Sequence, residues 1–508
     1  MAVDMRSAFD ADELASPEEV GLDSARLERV SEWMCALVAA KHLPCASVAV
    51  ARRGKVVYCK GAGTQSPADP KRGPGGTAAL PTPLSASTLY RIYSMSKPIT
   101  SVALMMLHEE GRFLLDHPVH LFLGPAWKRG AMRVWDAARS TVEAPVYGAC
   151  ESSITVKQLL THTSGLCYGF PGGEKVNPVD GVYQRELLKG GQRKNRTLAQ
   201  FVDALAAMPL AFQPGTRWNY SYATDVCGRL VEVISGVPLG RFLRERIFAP
   251  LRMADTAFSV AAAVADARLA AVYFEGALLE GGRAPPVVAV PEAAAAKPAG
   301  AGAAAAAARP PPTVHSAERA GGLAFGKPPP LSDVSALQRR SGEFTPAHAM
   351  ESGGGGLLST TADYFRFAQC MASGGAHRGS RILSRKTVEW CTSNHLPGGQ
   401  CMTDMGLPGF SEITTPGTGF GLGFSVVGQS SALAGDMASP GSFAWGGAAS
   451  TVFWVDPKEE LVVIFMTQVL GLNRQRLPVR SLLANIISGA IVDEGAKAER
   501  PQRASSRL

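Results

Sequence analysis

The chain has 508 residues, of which 46% are hydrophobic and 19% charged, and its formal net charge is +8. This balance is typical of a globular protein with a large buried core. The positive excess is small for the length, and no block of Lys and Arg or zinc-finger spacing accompanies it, so nucleic acid is not an expected partner. No apolar run approaches the roughly 18 residues that a membrane span needs, and we expect none.

Nine cysteines at irregular spacings, without a C-x-x-C pair, indicate free thiols in a reducing compartment rather than a disulfide framework. The first residues lack the apolar stretch of a signal peptide. No cluster of His or Cys has metal-ligand spacing, and no phosphate-binding loop or dinucleotide fingerprint is present. We therefore expect neither a metal nor another cofactor.

The first ninety residues contain a predicted amphipathic helix over residues 23–40 and two β-rich runs, 45–51 and 56–60. The intervening Arg52-Arg53-Gly54-Lys55 predicts a hairpin. A loop rich in Pro, Gly and Thr then leads to the next helix.

That helix carries the pattern S-x-x-K as Ser94-Met95-Ser96-Lys97. Pro98 is tolerated only in the first turn of a helix, so Ser94 is expected at or just before the helix start. Ser94 and Lys97 then point the same way, and an ammonium can stabilise an alkoxide or, when neutral, accept its proton. The alternative is a serine cap beside a lysine that extends to solvent.

In the middle of the chain, residues 198–208 and 225–234 are predicted helices, with Thr224 as the expected N-cap of the second. Tyr220 lies in the loop just before that helix. Alanine runs broken by prolines and glycines over residues 281–330 cannot build a core, so we interpret this segment as an insertion.

The C-terminal part contains the glycine turn 352–356 followed by a helix, β-type runs at 421–427, 450–455 and 461–467, and a final helix over 481–492. We expect these strands to join the N-terminal hairpin in one antiparallel sheet covered by helices. The helical middle would form a second lobe, with Ser94 at the junction.

Three motifs in order resemble the serine β-lactamase and penicillin-binding-protein superfamily, on the class C side and closest to the family VIII carboxylesterases. The first is Ser94-Met95-Ser96-Lys97; the second is Tyr220-Ser221-Tyr222, in which Tyr222 replaces the usual asparagine; the third is Trp445-Gly446-Gly447 in place of Lys-Thr-Gly. The resemblance implies an α/β (α+β) chain of β-lactamase/transpeptidase-like fold.

The resemblance also implies a role for each motif residue. Ser94 would be the nucleophile, with Lys97 and Tyr220 as the proton-transferring groups, and which of the two accepts the first proton is left open. The N–H groups of Ser94 and Ala448 would form the oxyanion hole. Substrate contacts are expected from Trp445, Gly446, Gly447 and Tyr222, although core packing is an equal alternative for Trp445.

His162 could suggest a Ser–His triad, but the chain lacks the G-x-S-x-G elbow. In the resembled family this histidine belongs to a structural turn, and we adopt that interpretation.

The predicted domain covers residues 20–489, with a sheet lobe from 20–90 and 420–492 and a helical lobe from about 91–419. The insertion 281–330 and a flexible tail, 493–508, lie outside its core. The last three residues, Ser506-Arg507-Leu508, resemble the peroxisomal Ser-Lys-Leu signal. In a eukaryote they predict an import receptor as partner and a peroxisomal or glycosomal location; otherwise the protein is expected in the cytoplasm.

The expected function is cleavage of small esters through an acyl-serine intermediate. The enzyme alternatives are an amidase, a D-aminopeptidase or a weak β-lactamase. A catalytically silent scaffold of the same fold is the alternative from a different class.

Overall fold

The computed structural model describes residues 1–67, 80–141, 144–170, 173, 177–189, 196–276, 328–335, 350–406, 416–429, 437–473 and 476–492. The predicted tail and its terminal tripeptide lie outside these residues, as does nearly all of the predicted insertion. Among the described residues, no helix is long and apolar enough to cross a membrane.

The largest sheet combines strands from the N-terminal and C-terminal parts of the chain. Its strand Leu461–Met466 pairs antiparallel with Cys45–Arg52, which confirms the predicted union of the N-terminal hairpin with the C-terminal strands. The strands on its main path lie side by side in this order: Val3–Asp4, Lys55–Ser66, Cys45–Arg52, Leu461–Met466, Val452–Asp456, Phe443–Gly446, Ser425–Val427 and Thr418–Phe420, with Thr82–Pro83 also paired to Lys55–Ser66.

The central strand Leu461–Met466 is apolar throughout, and both of its faces are buried. In Leu461–Met466, the alternate residues Val462 and Ile464 belong to one core, whereas Val463 and Phe465 belong to the other. Successive side chains of a strand point to opposite faces, so a strand buried on both sides favours apolar residues at every position.

Helices of the sheet lobe and the helical lobe pack around this sheet. The α-helices of the described residues are Ser24–Leu27, Arg29–Ala39, Ser96–Glu109, His120–Leu123, Val156–Leu160, Pro178–Glu186, Leu198–Ala206, Ala223–Ser235, Leu239–Leu243, Ala262–Arg268, Thr361–Ala372, Arg385–Cys391, Met402–Met405 and Val479–Ser488. The expected antiparallel sheet flanked by helices, with a mostly helical second lobe, is therefore confirmed.

Four small sheets complete the described strands. They pair Tyr90–Arg91 with Leu358–Ser359, Arg133–Trp135 with Tyr147–Ala149, Ala376–His377 with Ser380–Arg381, and Tyr273–Glu275 with both Leu331–Asp333 and Val469–Leu470.

Some predicted boundaries differ from the structure. The run 421–427 forms a strand only over Ser425–Val427, and the strands Thr418–Phe420 and Phe443–Gly446 were not predicted from periodicity. Thr224 is not the N-cap, because the helix already begins at Ala223 and Thr224 lies within its first turn.

Candidate active site

Ser94 lies in a short 3-10 turn, Tyr93–Met95, that runs directly into the helix Ser96–Glu109. This is the position that Pro98 predicts. Tyr93, just before the serine, has a φ of +42°, a left-handed conformation that is costly for a residue with a bulky side chain. Such strain persists where the surrounding structure fixes the backbone, and it is concentrated at functional sites.

Lys97 is almost completely buried, with 1% of its surface exposed. Its Nζ donates hydrogen bonds to Ser94 Oγ at 3.3 Å, to the Tyr168 hydroxyl at 3.0 Å and to the Gly354 carbonyl at 2.6 Å. A lysine that merely extends along the surface would keep its ammonium in water. The burial of Lys97 excludes that alternative.

Tyr220 is buried in the loop before the helix Ala223–Ser235, and its ring lies against the lysine. The distance from Lys97 Nζ to the centroid of the Tyr220 ring is 4.5 Å. The Trp445 ring lies 5.5 Å from that of Tyr220, and Phe420 packs edge-on against Trp445 at 5.2 Å. Lys97, Tyr220 and Trp445, one residue from each motif, thus lie in one series of contacts, from the buried ammonium to the Tyr220 ring and from that ring to Trp445.

His162 packs against the loop that carries Tyr220. Its Nδ1 is 3.2 Å from Ser221 Oγ, and its ring packs against Tyr220 at 5.1 Å. Burial, with a smaller effect of the Lys97 charge, lowers the pKa of His162 well below its usual range. A neutral, fully buried imidazole held this way fits the structural role expected for it.

The end of the strand Phe443–Gly446 lies close to the nucleophile turn. A Cβ on Gly447 would overlap the carbonyl oxygen of Ile92, two residues before Ser94, and the hydroxyl of Thr451. Glycine is therefore required by close approach of two backbones. Ala448 follows in an exposed turn, and no backbone carbonyl of the described residues accepts a hydrogen bond from its N–H.

Tyr222, at the usual asparagine position, is also buried. Its ring lies 4.4 Å from that of Tyr168 and packs edge-on against Phe201 at 4.9 Å. The aromatic ring thus contacts the tyrosine whose hydroxyl touches Lys97.

Two groups that contact Lys97 lie outside the three motifs, namely the Tyr168 hydroxyl and the Gly354 carbonyl. Gly354 lies within the predicted glycine turn, residues 352–356. Tyr168 follows two residues after Leu166, close to the turn that contains His162. Among the described residues, no group of His, Cys, Asp and Glu is arranged to hold a metal ion.

A serine beside a buried lysine, at the junction of an antiparallel sheet and a helical lobe, defines an enzyme-like site on a β-lactamase/transpeptidase-like fold. The family profile described as Beta-lactamase matches residues 30–486. The chain therefore belongs to the beta-lactamase family of serine hydrolases.

Several proteins are similar to this chain over long stretches. An uncharacterised protein of Mycobacterium tuberculosis is 31% identical over 390 residues, covering 76% of this chain and 79% of the relative. Esterase EstB of Burkholderia gladioli is 32% identical over 244 residues, covering 48% of this chain and 54% of the esterase.

Two solved structures have the same fold. Simvastatin synthase (LovD) from Aspergillus terreus matches with a TM-score of 0.64 at 21% identity, over 93% of this chain and 98% of LovD. EstCE1, described as a hydrolase with promiscuous acyltransferase activity, matches with a TM-score of 0.62 at 22% identity, over 91% of this chain and 98% of EstCE1.

Proposed function

We propose that this protein is a serine esterase that cleaves small esters through an acyl-Ser94 intermediate. The observation that carries the proposal is the hydrogen bond of 3.3 Å between buried Lys97 Nζ and Ser94 Oγ, with the Tyr220 ring over the same ammonium. A nucleophile within hydrogen-bond reach of a proton-transferring group is the arrangement that covalent catalysis needs. The EstB match adds support from the sequence side.

In the first step, Ser94 Oγ attacks the ester carbonyl carbon and loses its proton to Tyr220 or Lys97. A cation beside a phenol favours the ionised phenolate, so Tyr220 can act as the base even though phenols are weak acids. The same proton is then delivered to the alcohol oxygen as the ester bond breaks. In the second step, water attacks the carbonyl carbon of the acyl-serine and loses its proton to the same base. The proton then returns to Ser94 Oγ as the acid is released.

Charge on the carbonyl oxygen would be stabilised by the N–H groups of Ser94 and Ala448. The close backbone contact at Gly447 supports this assignment, because it fixes the strand end against the turn that carries Ser94. Preorganised donors of this kind contribute about 3–4 kcal/mol each to transition-state stabilisation.

Neutral esters are favoured over charged lactams as substrates. Trp445 replaces the lysine that would pair with a lactam carboxylate in the resembled superfamily, and Tyr222 replaces the asparagine amide. A carboxylate bound without these partners loses hydration without compensation, at a cost of several kcal/mol. Trp445 would instead offer an apolar wall to the acyl group.

The proposal is tested by measuring kcat/KM for a short-chain p-nitrophenyl ester, a thioester, a D-peptide and a cephalosporin on one preparation. We expect the ester to be turned over much faster than the cephalosporin or the peptide, and a fluorophosphonate probe to label the wild type but not Ser94→Ala. Faster turnover of the cephalosporin would identify a lactamase, and faster turnover of the D-peptide an aminopeptidase or amidase. No labelling and no turnover would indicate a silent scaffold.

A further inference from the structure

The environment of Lys97 contains one hydroxyl to which the three motifs assign no role. Tyr168 accepts a hydrogen bond from Lys97 Nζ at 3.0 Å, and its ring centroid is 5.1 Å from the same atom. Its neighbours in the site are aromatic, since its ring contacts those of Tyr220 and Tyr222. A tyrosine outside the three motifs therefore contacts the lysine directly.

A buried carboxylate lies behind the carbonyl that also accepts from Lys97. Asp225 is fully buried, and its Oδ1 accepts a hydrogen bond from Ser352 Oγ. Its Oδ2 has no hydrogen-bond partner among the described residues, and it would overlap a Cβ placed on Gly354. The Tyr168 hydroxyl lies 3.5 Å from that same Cβ position, so both oxygens approach one point beside Gly354.

These groups around Lys97 all favour the protonated form of the lysine. An ammonium has three N–H donors, and Ser94 Oγ, Tyr168 OH and the Gly354 carbonyl oxygen supply three acceptors. Acceptors around a buried cation favour its charged form, and so does a nearby carboxylate, whereas burial alone opposes it. Loss of either Tyr168 OH or the Asp225 charge should therefore favour the neutral amine.

We propose that Tyr168 and Asp225 are positioning residues that hold Lys97 in place and set the pH at which it gains or loses its proton. The proposal rests on the proposed function, because it concerns the lysine that assists Ser94. Among the described residues, the titratable or charged groups that face Lys97 from the surrounding segments include Ser94, His162, Tyr168, Tyr220 and, behind Gly354, Asp225.

The test is the rate constant for fluorophosphonate labelling of Ser94, measured across pH in the full chain. The variants are Tyr168→Phe, which keeps the ring, and Asp225→Asn, which keeps the shape. Tyr58→Phe is the matched control, because it also deletes a buried hydroxyl, bonded to Ser31 Oγ at 2.7 Å in the sheet lobe. Labelling reports on Ser94 without requiring knowledge of the natural substrate.

The labelling rate constant should change with pH where Lys97 gains or loses its proton. We expect this part of the pH profile to move to lower pH by roughly 0.5–1 unit in Tyr168→Phe, and by about 1 unit in Asp225→Asn. The direction is the same whether Lys97 acts as a cation, which gives a fall at alkaline pH, or as a base, which gives a rise from acid pH. Tyr58→Phe should keep the wild-type profile.

Unchanged profiles, or a shift to higher pH, would overturn the inference even if the labelling rates fell, because packing defects alone lower rates without moving this part of the profile. If Tyr168→Phe fails to fold, Asp225→Asn decides. Absence of labelling in the wild type would instead refute the proposed function, and the inference with it. The two failures are therefore distinguishable.

Discussion

Substitution of Gly447 by alanine tests the geometry of the proposed oxyanion hole most directly. The new Cβ would overlap the Ile92 carbonyl oxygen and the Thr451 hydroxyl. The threonine side chain can rotate, but the carbonyl belongs to the backbone that leads into the Ser94 turn. The strand end and the turn must therefore separate by about 1 Å to reach ordinary van der Waals contact.

A separation of this size displaces the Ala448 N–H from the oxygen it is proposed to stabilise. A misplacement of about 1 Å costs roughly 10²-fold in rate, and loss of one oxyanion donor costs about 10²–10³-fold. We therefore expect kcat for ester hydrolysis to fall by about 10²-fold in Gly447→Ala. Overpacking should lower the free energy of unfolding by about 1–3 kcal/mol, less than the roughly 5–15 kcal/mol typical of native proteins, so we expect the variant to remain folded at room temperature.

The assay compares ester turnover and urea unfolding in Gly447→Ala and in two other glycine variants. Gly148→Ala is the neutral control, because nothing lies within 4 Å of its new Cβ. Gly446→Ala should have a smaller effect than Gly447→Ala, since its Cβ would lie 3.1 Å from the Thr451 carbonyl oxygen. A kcat within threefold of wild type in Gly447→Ala would refute the reasoning that this contact fixes the proposed oxyanion hole.

Three further predictions concern other parts of the molecule. Tyr220→Phe should lower kcat by roughly 10²–10⁴-fold while the melting temperature stays close to wild type; unchanged turnover would mean that Tyr220 only packs. Burial raises the pKa of Glu13, but hydrogen bonds and nearby arginines lower it to about 2 from 4.5. Its contribution to stability is therefore present above about pH 4.5 and lost as the pH falls towards 2, so Glu13→Gln should destabilise the protein at neutral pH and flatten this acid dependence in thermal melts. Deletion of residues 281–320 should leave esterase activity near wild type, because Glu275 and Leu331 are paired on adjacent strands and a short linker can join them; loss of activity would show that the segment contributes to the site.

Long strands buried on both faces are easier to predict from sequence than strands of three or four residues, even where the short strand is paired on both sides like Phe443–Gly446. The run that forms Leu461–Met466 is continuous, apolar and rich in β-branched residues, so its pattern is strong. Phe443–Gly446 has only four residues and is bounded by glycines at positions 441 and 447, which makes it too short for a periodic signal. In the sequence, only the motif Trp445-Gly446-Gly447 marks this segment.

The site was predictable where its residues are local in sequence. Ser94 and Lys97 are three apart at a helix start, so helical geometry alone brings them together. The contacts of Lys97 with Tyr168 and the Gly354 carbonyl depend on the tertiary fold, because these groups lie 71 and 257 residues away along the chain. A backbone carbonyl, moreover, has no side-chain identity that a motif search could detect.

These distant contacts explain why a four-residue motif says little by itself. Burial of an ammonium is costly unless hydrogen bonds and opposite charge compensate it. Around Lys97 that compensation comes from the serine turn, the segment after the helix Val156–Leu160, the tyrosine loop and the glycine turn, which meet only in the folded domain. The reactivity proposed for Ser94 is therefore a property of the assembled lobes, and we expect it to disappear when any one of these segments is displaced.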